Sequence, residues 1–389
     1  MSHLEKLQTL KRLPFNVYDF IIIGGGVAGC SIAYFLSVEG KKVALIEEGA
    51  ICSKASGAAG AFINPVMGKP SNLKTISDQA FLFSTEYFSR HFNDIFWQCG
   101  TYLLPKVEKT KEEFLAQSNY MPFDYEYLDE NSIDFIKMPA RKFGAYFCKS
   151  AGIIQPKLFC ERLVQRCDVF ENQKIEKIEK TDDAYIVCNM YSKAVIMATG
   201  ANKGLLGEEY LKSAVIGLWG QKIEINGLLE NNSNISGEVL ISAVKDGKFA
   251  VGATYVRSED EIGVSDEESD KLVESANEIV DIKSCDIVVA KGGLRATSID
   301  HFPIVGRIIN GEKTLARHPS LANGRHMHKE QIDYKGDIFI FTGHTSKAFS
   351  MAFYTARLFA ESILRGSDLP MAIDSDRLFF RWCRKYKRL

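Results

Sequence analysis

No Cys-x-x-Cys pair occurs in this sequence, although it holds nine cysteines. That excludes a zinc ribbon. The odd, scattered set also argues against a disulfide framework, so reduced, buried thiols are expected. An excess of either charge is missing too, since the 389 residues carry a formal net charge of −1. The whole-molecule field favours no nucleic acid, and an RNA contact would need a local basic patch. There is no internal repeat and no low-complexity tract. The charge-poor stretch Phe20 to Val38 follows Lys11 and Arg12 and contains Val27-Ala28-Gly29-Cys30, the pattern of a lipoprotein cleavage box. Three consecutive glycines break it where a secretion signal needs a helix, so neither a leader nor a membrane span is expected. What remains is ordinary for a globular chain of two domains: 46% apolar and 25% charged residues.

The segment DFIIIGGGVAGCSIAYFLSVEGKKVALIEE reads as strand, glycine turn, helix, strand. Phe20 to Ile23 form a short β-favouring run, Ile32, Ala33 and Leu36 recur at helical spacing, and Gly40 ends the helix. Gly24 suits a tight turn, Gly26 a close approach to a pyrophosphate, and Gly29 close packing of helix on strand. Val27 and Ala28 then open a helix whose free N–H groups favour phosphate. Glu47, eighteen residues past Gly29, is placed to accept hydrogen bonds from ribose hydroxyls. Together they predict a dinucleotide site in an α/β fold.

Three further stretches point to FAD rather than NAD. The loop Cys52–Pro65 is rich in Ser, Ala and Gly, and offers Ser56, Gly57, Gly60 and Ala61 to an extended pyrophosphate and ribityl chain. A strand from Ala194 ends in Thr199-Gly200. A third strand runs into the turn Gly343-His344-Thr345-Ser346-Lys347. A helix follows from Ala348 and Phe349, its N-terminus aimed at the flavin's pyrimidine end, where negative charge grows on reduction. Ile175 completes the expected cofactor set. No cysteine sits in a context that argues for covalent attachment, so the FAD is expected to be non-covalent.

These parts, in this order, resemble the D-amino-acid-oxidase-like family of FAD enzymes, which includes glycine and sarcosine oxidases. Within it, the likeness is to the oxidoreductase half of the bifunctional tRNA 5-methylaminomethyl-2-thiouridine biosynthesis enzymes. Four segments carry it: Ala55–Pro65, Val251–Glu274, Gly293–Gly306 with its Asp300-His301 pair, and Asp374–Leu389. The resemblance implies an FAD-binding Rossmann-like domain from residues 1–80, 147–217 and 325–389. A substrate domain on a mixed antiparallel sheet would take residues 81–146 and 218–324. It also departs from the pattern. The bifunctional enzymes have a methyltransferase half upstream, whereas here nineteen residues precede Phe20. Trp219 stands where the family usually has arginine, and Ala348 where glycine-oxidase relatives have glycine.

Arg295 is the candidate catalytic residue. A guanidinium binds a carboxylate through two parallel hydrogen bonds, and relatives use this arginine on the substrate carboxylate. The alternative is a structural pair with Asp300 or another acid. Tyr255 is a candidate polar contact or a packed strand tyrosine. Asp300 and His301 are expected to shape the loop. The tail RLFFRWCRKYKRL offers Arg377, Arg381, Arg384, Lys385, Lys387 and Arg388 among aromatics; it suits tRNA phosphates and bases, or else packs on the flavin domain. The polar stretch Ala316–Asp337 reads as a long loop, and His326 and His328 lack the acidic or Cys partners of a metal site.

The resemblance thus implies a cytoplasmic tRNA-modifying amine oxidase. It would remove the carboxymethyl group of 5-carboxymethylaminomethyl-(2-thio)uridine as glyoxylate. Oxygen would be the electron acceptor, and a separate methyltransferase would act next. A free glycine or sarcosine oxidase and a non-catalytic flavoprotein are the alternatives.

Overall fold

The computed structural model describes residues 17–117, 122–283, 286–325 and 327–386. His326, Lys387 and Arg388 lie outside these ranges. In chain order, the elements that place the site are β1 (Val17–Ile23), α1 (Val27–Val38), β2 (Val43–Ile46), α2 (Asn72–His91), β3 (Asp168–Phe170), β4 (Met190–Met197), β5 (Val215–Asn226), β6 (Lys248–Gly252), β7 (Asp286–Ser298), β8 (Ile304–Ile309), β9 (Tyr334–Thr342), α3 (Ala348–Arg365) and α4 (Asp376–Tyr386). The fold is mixed α/β. The first strand and helix fall where the apolar runs and the glycine turn place them.

One sheet carries five parallel strands in the order β9-β4-β1-β2-β3. Its centre is apolar because helices cover it: Ile21 and Ile22 are fully buried. The outer edge of β4 is shared end to end. Its first residues pair with a hairpin strand, Tyr185–Val187, and Val195–Met197 pair with β9. β8 then runs antiparallel to β9. α1, α2 and α3 pack together through aromatic rings, with Phe353 at the centre, 4.9 Å from Phe35 and 5.0 Å from Phe88.

The second sheet is built on β5, which pairs antiparallel with β6 and, along its whole length, with β7. It also contains one parallel pair, Asn234–Ser236 beside Thr101–Leu103. The stretch Ala316–Asp337 is not an open loop: it holds two 3-10 turns and the start of β9. Leu321 and Ile332 pin it down, since both are buried in the cluster beneath α4. The eight described cysteines are all free, and Cys188 is the exposed one among them.

Candidate active site

A cavity of about 890 Å³ runs between the strand ends of the parallel sheet and the start of α1, within the roughly 300–1,000 Å³ of ligand pockets. The glycines of the first turn serve it in different ways. Gly24 has φ +112°, and a Cβ there would lie 2.4 Å from the Ala198 oxygen. At Gly29 a Cβ would lie 1.9 Å from the Gly24 oxygen, so this glycine lets α1 sit on β1. Gly26 lines the cavity, and the nearest atom to a Cβ there is Ser56 Oγ at 3.2 Å. That hydroxyl accepts the Val27 N–H at 3.0 Å. Gly57 shapes the loop from within, since a Cβ would meet the Cys52 oxygen at 1.9 Å.

Glu47 is buried and lines the same cavity. Its carboxylate accepts the N–H of Gly25 at 2.5 Å and that of Gly49 at 2.9 Å, which fixes its direction. Val27, Ala28, Ile175, Thr199 and Gly200 line the cavity, as do Gly343, His344, Thr345, Ser346, Ala348 and Phe349. Gly60, Ala61 and Lys347 lie instead on a smaller adjoining cavity. Both α1 and α3 start without a side-chain cap. Two sets of N–H donors thus meet the cavity. Ala348 has φ −55°, so alanine enters the helix there without strain. Thr345 does not share that ease, having φ +59°, a costly conformation for a β-branched residue. Burial lowers the His344 pKa to about 3, which keeps the ring neutral, with Nε2 3.1 Å from Thr355 Oγ1.

These groups fit FAD. The uncapped helix starts suit a pyrophosphate and an electron-rich ring edge, and the held carboxylate suits ribose hydroxyls. Among the described residues no cysteine lines the cavity.

Arg295 stands in β7 opposite Leu218 of β5. Its Nη2 donates to the Thr254 oxygen at 2.7 Å, and its guanidinium lies 4.5 Å from the centre of the Tyr255 ring. The space comes from Gly220, where a Cβ would sit 1.4 Å from Nη2. Among the described residues no carboxylate pairs with Arg295, and burial lowers its pKa. Asp300 is engaged elsewhere, by Arg377 through two contacts of 3.0 and 3.1 Å. It also accepts the Ser298 hydroxyl at 2.7 Å, so it shapes the turn before β8. The alternative pairing of Arg295 with Asp300 is therefore absent, and Arg295 opens onto the large cavity and two smaller ones of about 280 and 210 Å³. Tyr255 and Lys347 line both smaller cavities. The Lys347 ammonium donates to the Pro65 oxygen at 3.3 Å, and burial lowers its pKa to about 8.

Trp219 is buried, and its ring occupies the space above Gly292, where a Cβ would be 2.2 Å away. It lines none of these cavities. Sequence reasoning missed Gly25, Asn64 and Lys222, which help build the site. Gly25 was legible as the middle glycine of its run. Lys222 lies three residues past Trp219 but carries no motif.

The tail divides. Leu378, Phe379 and Cys383 of α4 are core residues, and Trp382 stacks on Phe379. Arg377 is held by Asp300. Arg384 and Lys385 are exposed, and Arg381 is half-buried. Among the described residues, no cluster of His, Cys, Asp and Glu could hold a metal, and no helix is long and apolar enough to cross a membrane.

Comparison with known proteins agrees with this geometry. The model of the FAD dependent oxidoreductase family, DAO, matches residues 19–362. The chain is 28% identical over 363 residues to the tRNA 5-methylaminomethyl-2-thiouridine biosynthesis bifunctional protein MnmC of Campylobacter fetus, covering 89% of this chain and 56% of that protein. It spans little more than half the length of such relatives. It is 26% identical to glycine oxidase of Bacillus licheniformis over 79% of this chain and 89% of that one. The crystal structure of glycine oxidase from Bacillus cereus superposes with a TM-score of 0.72 at 20% identity, covering 90% of this chain and 96% of that one.

Proposed function

Since the chain belongs to the DAO family of FAD dependent oxidoreductases, we propose that its substrate is 5-carboxymethylaminomethyl-(2-thio)uridine at the wobble position of tRNA. The reaction releases the carboxymethyl group as glyoxylate and leaves 5-aminomethyl-(2-thio)uridine. In balance, the secondary amine, oxygen and water give the primary amine, glyoxylate and hydrogen peroxide.

The observation that carries this reading is Arg295, a guanidinium that has no acid partner among the described residues and stands beside the cofactor cavity. Thr254 and Tyr255 fix its plane, so a substrate carboxylate meets a preformed fork. The amine must be neutral before its methylene loses hydride. Arg295 and Lys347, lining one cavity, disfavour an ammonium beside them and so lower its pKa. FAD, when bound, supplies the hydride acceptor. Gly26, Val27, Ser56 and Glu47 would hold its phosphates and ribose, and the start of α3 its pyrimidine end. The relatives named for tRNA modification and the exposed Arg384 and Lys385 support an RNA substrate. The cytoplasm, non-covalent FAD and a separate methyltransferase acting next belong to the same reading.

The second reading, oxidation of free glycine or sarcosine, is favoured by the burial of the tail's Phe379. An anaerobic mixing experiment separates the two. The yellow holoprotein is mixed with tRNA carrying the carboxymethylaminomethyl group, or with free glycine, and flavin bleaching is followed. Bleaching by tRNA alone is expected, and bleaching by glycine alone would refute the tRNA reading. A flavin that neither substrate reduces would point to a non-catalytic flavoprotein.

A further inference from the structure

The cavity of about 210 Å³ beside Arg295 extends past what an N-alkylated glycine requires. Arg295 and Lys347 account for a carboxylate and its amine. Beyond them one part of the lining is glycine and alanine, and Phe62, Pro65, Leu240 and Val251 complete it. The loop from Ala55 to Ala61 faces Gly220, Gly252 and Gly293 of the second sheet. A Cβ at Gly293 would lie 2.5 Å from Ala55 Cα, and one at Gly252 would lie 2.8 Å from Lys222 Cβ. At Gly293 the loop therefore packs directly on the sheet, and the cavity opens beside that contact.

Lys222 and Asn64 also line it, and no step above uses either. Lys222 is 9% exposed, unusual for a lysine, and its ammonium is 3.0 Å from Glu224 Oε1. That contact uses one of its three N–H donors. Asn64 accepts the Thr101 hydroxyl at 2.8 Å through Oδ1, and among the described residues its amide nitrogen has no partner. A partly apolar cavity whose spare groups are donors suits a ring with carbonyl acceptors.

We propose that this cavity is the pyrimidine subsite and that Lys222 is a specificity-determining residue, donating to the carbonyl oxygen at position 4 of the base. This rests on the tRNA reading above. The chemistry orders the contacts. The aminomethyl chain leaves the ring at position 5, so the neighbouring oxygen is the acceptor nearest the amine, and Asn64 Nδ2 is a second donor to the ring. A free amino acid fills the Arg295 end and leaves the rest vacant.

The test compares wild-type holoprotein with Lys222→Met and Lys222→Arg. Flavin reduction by the modified tRNA is measured anaerobically, with N-methylglycine as a competitor. Lys222→Met is expected to lower kcat/KM for the tRNA about tenfold or more, the scale of a hydrogen bond to a charged group. The inhibition constant of N-methylglycine stays the same, and Lys222→Arg recovers part of the loss. Unchanged kcat/KM in Lys222→Met overturns the subsite while leaving the tRNA reading intact. An equal loss for tRNA and competitor also overturns it, because Lys222 would then be supporting the whole cavity. A wild-type flavin that the tRNA does not reduce overturns both.

Discussion

Gly220→Ala is the sharpest perturbation of the site, because it adds one methyl group and removes nothing. The new Cβ would lie 1.4 Å from Arg295 Nη2, 2.5 Å from Cζ and 2.5 Å from the Thr254 oxygen. Gly220 sits in mid-strand, paired with Gly293 of β7, so the backbone has little freedom to withdraw. The guanidinium must leave. It gives up the Thr254 hydrogen bond, the Tyr255 ring and its place at the substrate carboxylate. Losing a buried, hydrogen-bonded charge pair costs about 2–5 kcal/mol. That is roughly a 30- to 4,000-fold fall in kcat/KM. Overpacking costs a further 1–3 kcal/mol or so in stability. FAD stays bound, because Gly220 is not among the residues lining the large cavity. Stopped-flow flavin reduction against substrate concentration gives the number, and flavin absorbance confirms loading. Gly292→Ala is the control, since its methyl meets the Trp219 ring rather than Arg295: it costs stability and leaves kcat/KM near wild type. In an Arg295→Ala background, Gly220→Ala should add almost nothing. Full activity in Gly220→Ala, or an equal loss in Gly292→Ala, would refute the assignment of Arg295.

Glu47→Ala removes the carboxylate held by Gly25 and Gly49. It should weaken FAD binding about tenfold or more, as two charge-assisted hydrogen bonds predict; titration of apoprotein with FAD measures this, and an unchanged affinity would contradict the ribose role. Replacing Arg384 and Lys385 together by alanine should weaken tRNA binding and reduce its salt slope by about 2. Deleting the tail is the wrong experiment, because Phe379 and Leu378 are core. The Lys347 pKa, about 8, lies below the 10.5 of the free side chain. The unfolded chain therefore binds more protons between those values, and this residue's contribution to stability rises with pH across that window. Lys347→Met should stabilise the apoprotein most at and below neutral pH, and urea midpoints showing no gain there would refute the burial of a charge.

The cofactor half was legible because it repeats a local rule: apolar run, glycines, helix. Phe20–Ile23, Gly24, Gly26, Gly29 and Glu47 obey it within thirty residues of chain. Arg295 stood out because charge is rare in an apolar strand. Its partners did not: Gly220 reaches it by strand pairing, whose register is not written in either strand alone, and Thr254 reaches it from the connection after β6. The tail was ambiguous for a related reason. Its charges and rings alternate at a spacing that suits both RNA and a helix packed on one side. Burial of Phe379 and the Arg377–Asp300 pair depend on residues some 80 to 170 positions away. Lys222 was silent because a lone lysine is ordinarily a solvated one.

The shared edge of β4 bears on how the protein is made. Phe339 pairs with Ile196, and the walls of the large cavity draw on residues from Ile23 to Phe349. A nascent chain emerging from the ribosome can form β1, α1 and β2, yet it lacks β9 and α3 until residues 334–365 have been synthesised. The glycine turn is finished early and waits. Until then, one end of β4 is an unpaired edge with apolar residues, a site for wrong association. Cofactor capture is in this way deferred until α3 has been made, and yellow colour in a preparation reports chains that reach α3 rather than shorter fragments.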